Sequence, residues 1–264
     1  MLCQIILTPW ESKRLIAKAV IQLPEVQYAL KNGIVCVARG ITSSYIVDEI
    51  LTHFDKEKYC MGCIEPERLC LVQKKNQIPE ISFIKGKAQE IPSAEIVKEM
   101  GATDVFIKGA NAVDTNFEAA ILLGSPVGGT IGNAVGAVYA KGIKFLIPVG
   151  LEKLVPSVKN AVAFTGIAKV GFSMGMPVGL FPVSGKVVTE IQALESYGVQ
   201  VMPIASGGVN GAEGAIILGI HGEKKNVENA LQAITSVKGE PPLTIPSGDC
   251  ASCTHVTCPR AGKE

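Results

Sequence analysis

A chain of 264 residues that is 47% hydrophobic and 19% charged can bury one large core or two unequal ones, which excludes a disordered chain. The formal net charge of +1 comes without any run of lysine or arginine, so nothing supplies the basic footprint that a nucleic-acid or anionic-membrane partner needs; a small-molecule partner is expected. The first residues, "MLCQIILTPWESKR", show neither a basic segment ahead of the apolar stretch nor a small-residue cleavage site, so a cytoplasmic protein is expected.

In chain order, helical and strand periods alternate, the pattern of an α/β domain with a doubly wound, largely parallel sheet. Residues 11–32 read as helix broken at Pro24, 33–38 ("GIVCVA") as a buried strand containing Cys36, and 43–54 as an amphipathic helix with apolar positions 46, 47, 50, 51 and 54. Short strands follow near 69–72 and 81–84, then a helix at 93–100 and the strand "DVFIK". The uncharged run 119–140 is long enough to cross a bilayer, but Pro126, Asn133 and its glycines favour a buried loop followed by a helix. A strand at 143–149 and a short helical stretch at 151–160 complete a first domain, 1–165.

Composition then shifts to Gly, Met and Pro in "GFSMGMPVGLFPVSG", a domain boundary or hinge. Strand 179–183, helix 186–197, strand 199–205, a glycine loop, strand 215–221 and helix 225–237 give the β-α-β-β-α order of a smaller ferredoxin-like α+β domain over 166–245. The glycine loop at 206–214 lacks dinucleotide-fingerprint spacing and suits a turn between strands. A proline-rich linker leads to a cysteine-rich tail, 246–264.

Several stretches can carry chemistry. Thr42, Ser43 and Ser44 stand where a strand's carboxyl end meets a helix N-terminus, a geometry that suits a phosphate and equally suits plain N-capping. Gly128, Gly129 and Thr130 open the "GGTIGNAVG" helix and offer a nest for an anion, whereas Gly132 and Gly136 are expected to pack closely over the sheet. The turn at 108–114, with Lys108, Asn111 and Asp114, either binds a hydroxyl, carboxylate or phosphate or satisfies its own backbone.

The cysteines form two groups. Cys60 and Cys63 make one C-x2-C pair; Cys250 and Cys253 make another, followed by His255 and Cys258-Pro259. Two such pairs meeting in space supply four thiolates for a tetrahedral zinc, and C-x2-C-x4-C before proline also suits an iron–sulfur cluster; a redox dithiol or unpaired thiols are the alternatives. His53 and His221 are isolated and are expected to be surface or core residues.

The stretches "GIVCVARGITSSYIVDEIL", "TDVFIKGANAVDTN" and "KGIKFLIPVGLEKL", in this order, resemble the sugar-phosphate isomerase and CoA-transferase-like superfamily, which includes ribose-5-phosphate isomerase, methylthioribose-1-phosphate isomerase and the sensor domains of DeoR-type repressors. The resemblance covers roughly residues 12–160. It implies that Gly40, Thr42, Ser43 and Ser44 hold a ligand's phosphate with Arg39 and Lys153 nearby, and that the turn at 108–114 faces the sugar. Where the isomerase has acidic residues this chain has Lys108, Asn111 and Ala112; only Asp114 keeps a carboxylate and stands as the catalytic candidate. The isomerase's glutamate base has no counterpart between Ala119 and Ala140, and abstraction of a proton beside a carbonyl needs a positioned base. The expectation is a protein that binds a phosphorylated sugar or similar anionic metabolite. It is either an isomerase- or transferase-like enzyme of anaerobic metabolism with a metal centre or a non-catalytic sensor or assembly subunit of the same fold. Self-association is compatible with the sequence.

Overall fold

The computed structural model describes residues 1–51, 53–246 and 248–263. Strand β1 (Leu2–Leu7) leads into α1 (Pro9–Gln22), whose start is fixed by a capping box: the Thr8 hydroxyl accepts from the Glu11 amide and the Glu11 carboxylate accepts from the Thr8 amide, with Pro9 at the first helical position. Pro24 opens a second helix, α2 (Pro24–Asn32), because its missing N–H falls where a helix has no internal acceptor for it. Next come β2 (Ile34–Val37), α3 (Ile41–Ile50), the hairpin strands β3 (Gly62–Glu65) and β4 (Arg68–Leu71), β5 (Ile81–Ile84), β6 (Lys87–Glu90), α4 (Ser93–Ile96) and β7 (Val105–Ile107). The chain continues through β8 (Ala112–Val113), β9 (Ala119–Leu123), α5 (Gly129–Ala140), β10 (Lys144–Pro148) and α6 (Val158–Phe164). The remaining elements are β11 (Gly179–Val183), β12 (Lys186–Val188), α7 (Glu190–Glu195), β13 (Gln200–Gly207), β14 (Ala215–His221) and α8 (Lys224–Thr235).

The architecture is α/β around a six-stranded sheet in the order β12-β10-β7-β2-β5-β6. Strands β12, β10, β7 and β2 are mutually parallel, while β5 runs antiparallel to β2 and β6 to β5, so the sheet is mixed. Both faces are covered, as near-continuous apolar strands require. Val35, Val37, Val105, Ile107 and Leu146 pack against α1, α2 and α3. On the other face Cys36, Phe106, Phe145 and Ile147 pack against α4 and α5, with Phe106 and Phe145 edge to face at a centroid distance of 5.3 Å.

Three smaller sheets flank this layer: β1-β14-β13, β11-β9-β8 and the β3-β4 hairpin. The segment 166–245 contributes to three of the four sheets and does not build a ferredoxin-like sheet by itself. Strand β11 pairs antiparallel with β9, and β12 extends the six-stranded sheet. Strands β13 and β14 pair with each other, and the other edge of β14 is taken by β1 from the opposite end of the chain. Its alternation turns Ile5 and Leu7 inward onto Leu218, Ile220, Leu194 and Val227. The glycine loop 206–214 is the connection between β13 and β14.

Other expectations also change. Residues 186–188 are strand, not helix; Lys186-Val187-Val188 pairs with β10, and α7 starts only after Thr189, whose capping box with Gln192 marks the boundary. In the run 119–140, the part expected as loop is β9, and only 129–140 is helical. Among the described residues no helix is long and apolar enough to cross a membrane. Gly132 and Gly136 face solvent, while Ile131, Ala134 and Val138 meet the sheet. A side chain at Gly132 would stand 2.4 Å from the Val127 carbonyl oxygen, so this glycine serves the tight entry to α5. The tail from 248 to 263 is a succession of turns.

Candidate functional site

Because β2, β7, β10 and β12 are parallel, the segments that leave their carboxyl ends share one edge: 38–44, 108–111, 150–153 and 189–190. From β2 the chain first runs out to β5 and β6 and then returns on the other side at β7, so the strand order reverses between β2 and β7. In open α/β sheets the crevice outside such a reversal is where ligands sit. The loops there are close: a side-chain carbon at Gly109 would lie 3.3 Å from the Pro148 carbonyl oxygen and 3.7 Å from Thr42 Cβ, so a larger residue there would press β10 outward by a few tenths of an ångström.

The expected ligand residues divide into used and unused groups. Ser44 Oγ donates to the Ile41 carbonyl at 2.7 Å and is consumed within the helix. Thr42 Oγ1, Ser43 Oγ and Arg39 Nε are buried and have no hydrogen-bond partner among the described residues. Arg39 Nη1 donates to Gln77 Oε1 at 2.8 Å, Lys108 Nζ to the Arg39 carbonyl at 3.3 Å and Lys153 Nζ to the Ala110 carbonyl at 3.1 Å. Burial pushes both ammonium groups below the ordinary lysine range. Thus Arg39, Thr42, Ser43, Lys108 and Lys153 come together at one strand edge, with the Gly40 amide bonded to the Tyr59 carbonyl beneath them.

Sequence reasoning missed a second polar group on this edge. Lys13 Nζ meets Glu152 Oε1 at 2.6 Å, and the Leu151 amide donates to both oxygens of Glu190, at 3.2 and 3.0 Å. Burial and then the charge of Glu152 push the Glu190 carboxyl up to about 7. The signal was Thr189-Glu190 directly after a β-branched strand, hidden because that strand read as helix.

Asp114, the catalytic candidate, is in structural use. Its Oδ1 accepts from the amides of Asn116 and Glu118 at 2.9 and 3.2 Å, and its Oδ2 accepts from the Val158 amide at 3.0 Å, tying the turn to the start of α6. Burial opposes ionisation, but these backbone bonds outweigh it and hold the carboxyl below its ordinary range. Asn111 Oδ1 accepts from the Leu122 amide at 3.1 Å, so this residue serves pairing with β9. Gly128 and Gly129 take left-handed backbone angles, φ 80° and 54°, at the start of α5, with Thr130 following; the helix has no side-chain cap.

The two cysteine groups lie at one corner. In the β3-β4 hairpin Glu65 pairs with Arg68 across the turn Pro66-Glu67, which places Cys63 opposite Cys70, with their sulfurs 3.6 Å apart and Glu65 Oε1 3.6 Å from Cys63 Sγ. The tail docks on this hairpin through Arg68, whose guanidinium donates to Cys250 Sγ and to the Gly248 carbonyl, both at 2.7 Å. Cys70, Cys250, Cys253, His255 and Cys258 line one cavity of about 20 Å³. Cys60 does not line this cavity: its thiol donates to the Gly62 carbonyl at 3.0 Å, and it is buried in a small cluster with Cys63 and Val72 against which Cys70 packs. Cys70 escaped the sequence reading, although a two-residue turn between "CIE" and "RLC" is a signal that could have found it.

No protein-family model matches this chain, and no curated protein or solved structure matches it either.

Proposed function

We propose that the protein binds a small anionic metabolite, a phosphorylated sugar or a compound of that class, at the carboxyl ends of β2, β7 and β10. The observation that carries this reading is the set of buried, unpartnered donors at the first turn of α3: Thr42 Oγ1, Ser43 Oγ and Arg39 Nε. A buried polar group left without a partner costs about 1–3 kcal/mol, and an oxyanion accepting from these groups removes that cost. Lys108 and Lys153 add two amines whose hydrogen bonds go to carbonyl oxygens; burial disfavours their charged forms, and an anion bound beside them would favour those forms again. The order and content of the three strand-end stretches, similar to the sugar-phosphate isomerase and CoA-transferase-like superfamily, support the same ligand class.

Within this reading a non-catalytic sensor fits better than an aldose–ketose isomerase. Proton abstraction needs a basic carboxylate free to reach the substrate, yet Asp114 is tied to three backbone amides and Glu190 to the Leu151 amide. Glu152, whose Oε2 has no partner among the described residues, is ion-paired through Oε1 to Lys13; burial opposes its ionisation, but the lysine charges beside it hold its carboxyl below the ordinary range, which makes it a weak base. Calorimetric titration of inorganic phosphate, ribose 5-phosphate and a CoA ester into the wild type, Lys108→Ala and Ser43→Asp tests the proposal, with circular dichroism confirming that each variant is folded. A charge-assisted hydrogen bond contributes about 1.5–3 kcal/mol, so Lys108→Ala should weaken binding roughly tenfold or more. Ser43→Asp should weaken it by placing like charge against the anion. Binding indifferent to both substitutions would remove the site, and rapid turnover of ribose 5-phosphate would remove the sensor reading.

A further inference from the structure

The tail poses a physical problem that its own residues do not solve. From 248 to 263 it holds a defined set of turns: Cys253 N and Gly262 N both donate to the Cys250 carbonyl, at 3.2 and 2.8 Å, and Cys258 N donates to the His255 carbonyl at 3.1 Å. Its one large aliphatic side chain, Val256, is 87% exposed. The hairpin it rests on is little better supplied, since the buried cluster there consists of Cys60, Cys63 and Val72, with Ile41, Cys70 and Ile245 packed against it. Segments this short and this poor in apolar burial need a covalent or metal staple to hold one conformation.

The side chains that face one another there are metal ligands. All eight cysteines of the chain are free thiols, and Cys70, Cys250, Cys253 and Cys258 surround one cavity together with His255. Among the described residues one group of three has its ligand atoms within 4.8 Å of one another, Cys63, Glu65 and Cys70 of the hairpin; the tail cysteines line the neighbouring cavity and are not yet that close. The 3.6 Å between the sulfurs of Cys63 and Cys70 is too long for a disulfide, whose bond is about 2.05 Å, and close to the separation of about 3.8 Å that two thiolates take on a tetrahedral ion with metal–sulfur bonds near 2.3 Å. The Arg68 guanidinium on Cys250 Sγ supplies a positive charge against the negative charge that several thiolates concentrate on one metal.

The backbone is shaped for this contact. Gly175, at φ 98°, runs beside β4 so closely that a side chain would stand 2.3 Å from the Leu69 carbonyl oxygen, and Met176 N donates to that oxygen at 2.8 Å. Beyond β4, a side chain at Gly248 would stand 2.6 Å from the Leu71 carbonyl oxygen. Both approaches bring flanking chain against the strand that carries Cys70.

We propose that the β3-β4 hairpin and the tail close together on a thiophilic metal centre held by Cys63 and Cys70 of the hairpin and by the tail cysteines Cys250, Cys253 and Cys258, with Arg68 across the cavity. Thiolate ligation is common to zinc and to iron in an iron–sulfur cluster, and the experiment separates the two. Binding releases the thiol protons to solvent, so loading is lost at low pH. The centre stands independently of the strand-end ligand: either can fail without the other.

The test is metal and acid-labile sulfide analysis of the full chain purified without oxygen, together with its visible spectrum. Stoichiometric zinc in a colourless protein, or iron with sulfide and broad visible absorption, is the expected result. Cys70→Ser and Cys253→Ser should each lower the bound metal several-fold, while Cys3→Ser, on β1, leaves it unchanged. For a variant that folds poorly, chelator treatment of the wild type gives the same information: thiols reactive toward an aromatic disulfide should rise as metal leaves. Negligible transition metal in the wild type, metal content unaffected by Cys70→Ser, or a Cys63–Cys70 disulfide in the anaerobic protein would each overturn the proposal.

Discussion

The strand-end cluster and the cysteine corner are neighbours, joined through the Gly40–Tyr59 backbone bond, the side chain of Ile41 and the Arg39–Gln77 contact, but they are built in opposite ways. The first is a by-product of topology. Once β2, β7 and β10 pair in parallel over two packed apolar faces, their carboxyl ends have nowhere else to go, and Arg39, Thr42, Lys108 and Lys153 arrive together. The second joins a hairpin to a tail nearly two hundred positions away through polar contacts from Arg68 and Gln73 and a small buried cluster. A cluster set by a packed sheet keeps its shape without any ligand, whereas one set by two weakly packed segments is held by few contacts of its own.

The sharpest way to break this contrast is to damage the sheet. Phe106→Ala empties a fully buried position packed against Phe145, and aromatic-to-alanine changes in a core cost about 3–5 kcal/mol. Denaturant unfolding should show that loss, with anion binding disappearing over the same range as the fold. A next, smaller effect comes from Asp114→Ala, which leaves the amides of Asn116, Glu118 and Val158 without their acceptor. A loss of about 1–3 kcal/mol is expected, with anion affinity in the folded protein retained. Loss of affinity without loss of stability would return Asp114 to the site.

Glu190 gives a pH dependence of definite sign. Its carboxyl is raised to about 7 in the folded protein against an ordinary value near 4.3, so between these values the native state binds more protons than the unfolded chain. The stabilising contribution of the protonated group is complete below the ordinary value and is lost as pH rises through about 7. Glu190→Gln should therefore flatten the fall of Tm across that window and leave the variant more stable than the wild type at pH 8. A shift of about 2–4 °C corresponds to 1 kcal/mol in a chain of this size. Parallel Tm curves for the two proteins would show that Glu190 is ionised throughout. The smallest effect on the core is expected from chelating the proposed metal: global Tm should hardly move, while limited proteolysis at the tail and hairpin accelerates. A large Tm loss would mean that the corner supports the whole fold and would erase the contrast.

Much of the strand-end cluster was legible in the sequence because local patterns encode where strands end. Continuous apolar runs such as "IVCV" and "VFI" mark strands buried on both faces, and the polar residues that follow them mark strand ends. What those polar residues do was not legible. Asp114 and Lys108 sit in the same turn, yet the first is spent on three backbone amides and the second gives one hydrogen bond, to the Arg39 carbonyl, a distinction set by which chain segments fold back onto each. Nor could Glu190 be seen as a member of this edge, since its environment is created by burial beside Glu152 and by the parallel pairing of β12 with β10.

By itself, then, the sequence determined the α/β class, the strand-end turns and the presence of two cysteine groups, because composition, periodicity and spacing are local properties of the chain. Only the tertiary structure decided that β1 completes the sheet of β13 and β14, that β12 extends the large sheet, and that Cys70 rather than Cys60 faces the tail. The physical reason is the same in each case. Strand pairing and side-chain encounter between remote segments are settled by which apolar faces and unpaired backbone groups must be covered, and that competition takes place across the whole molecule.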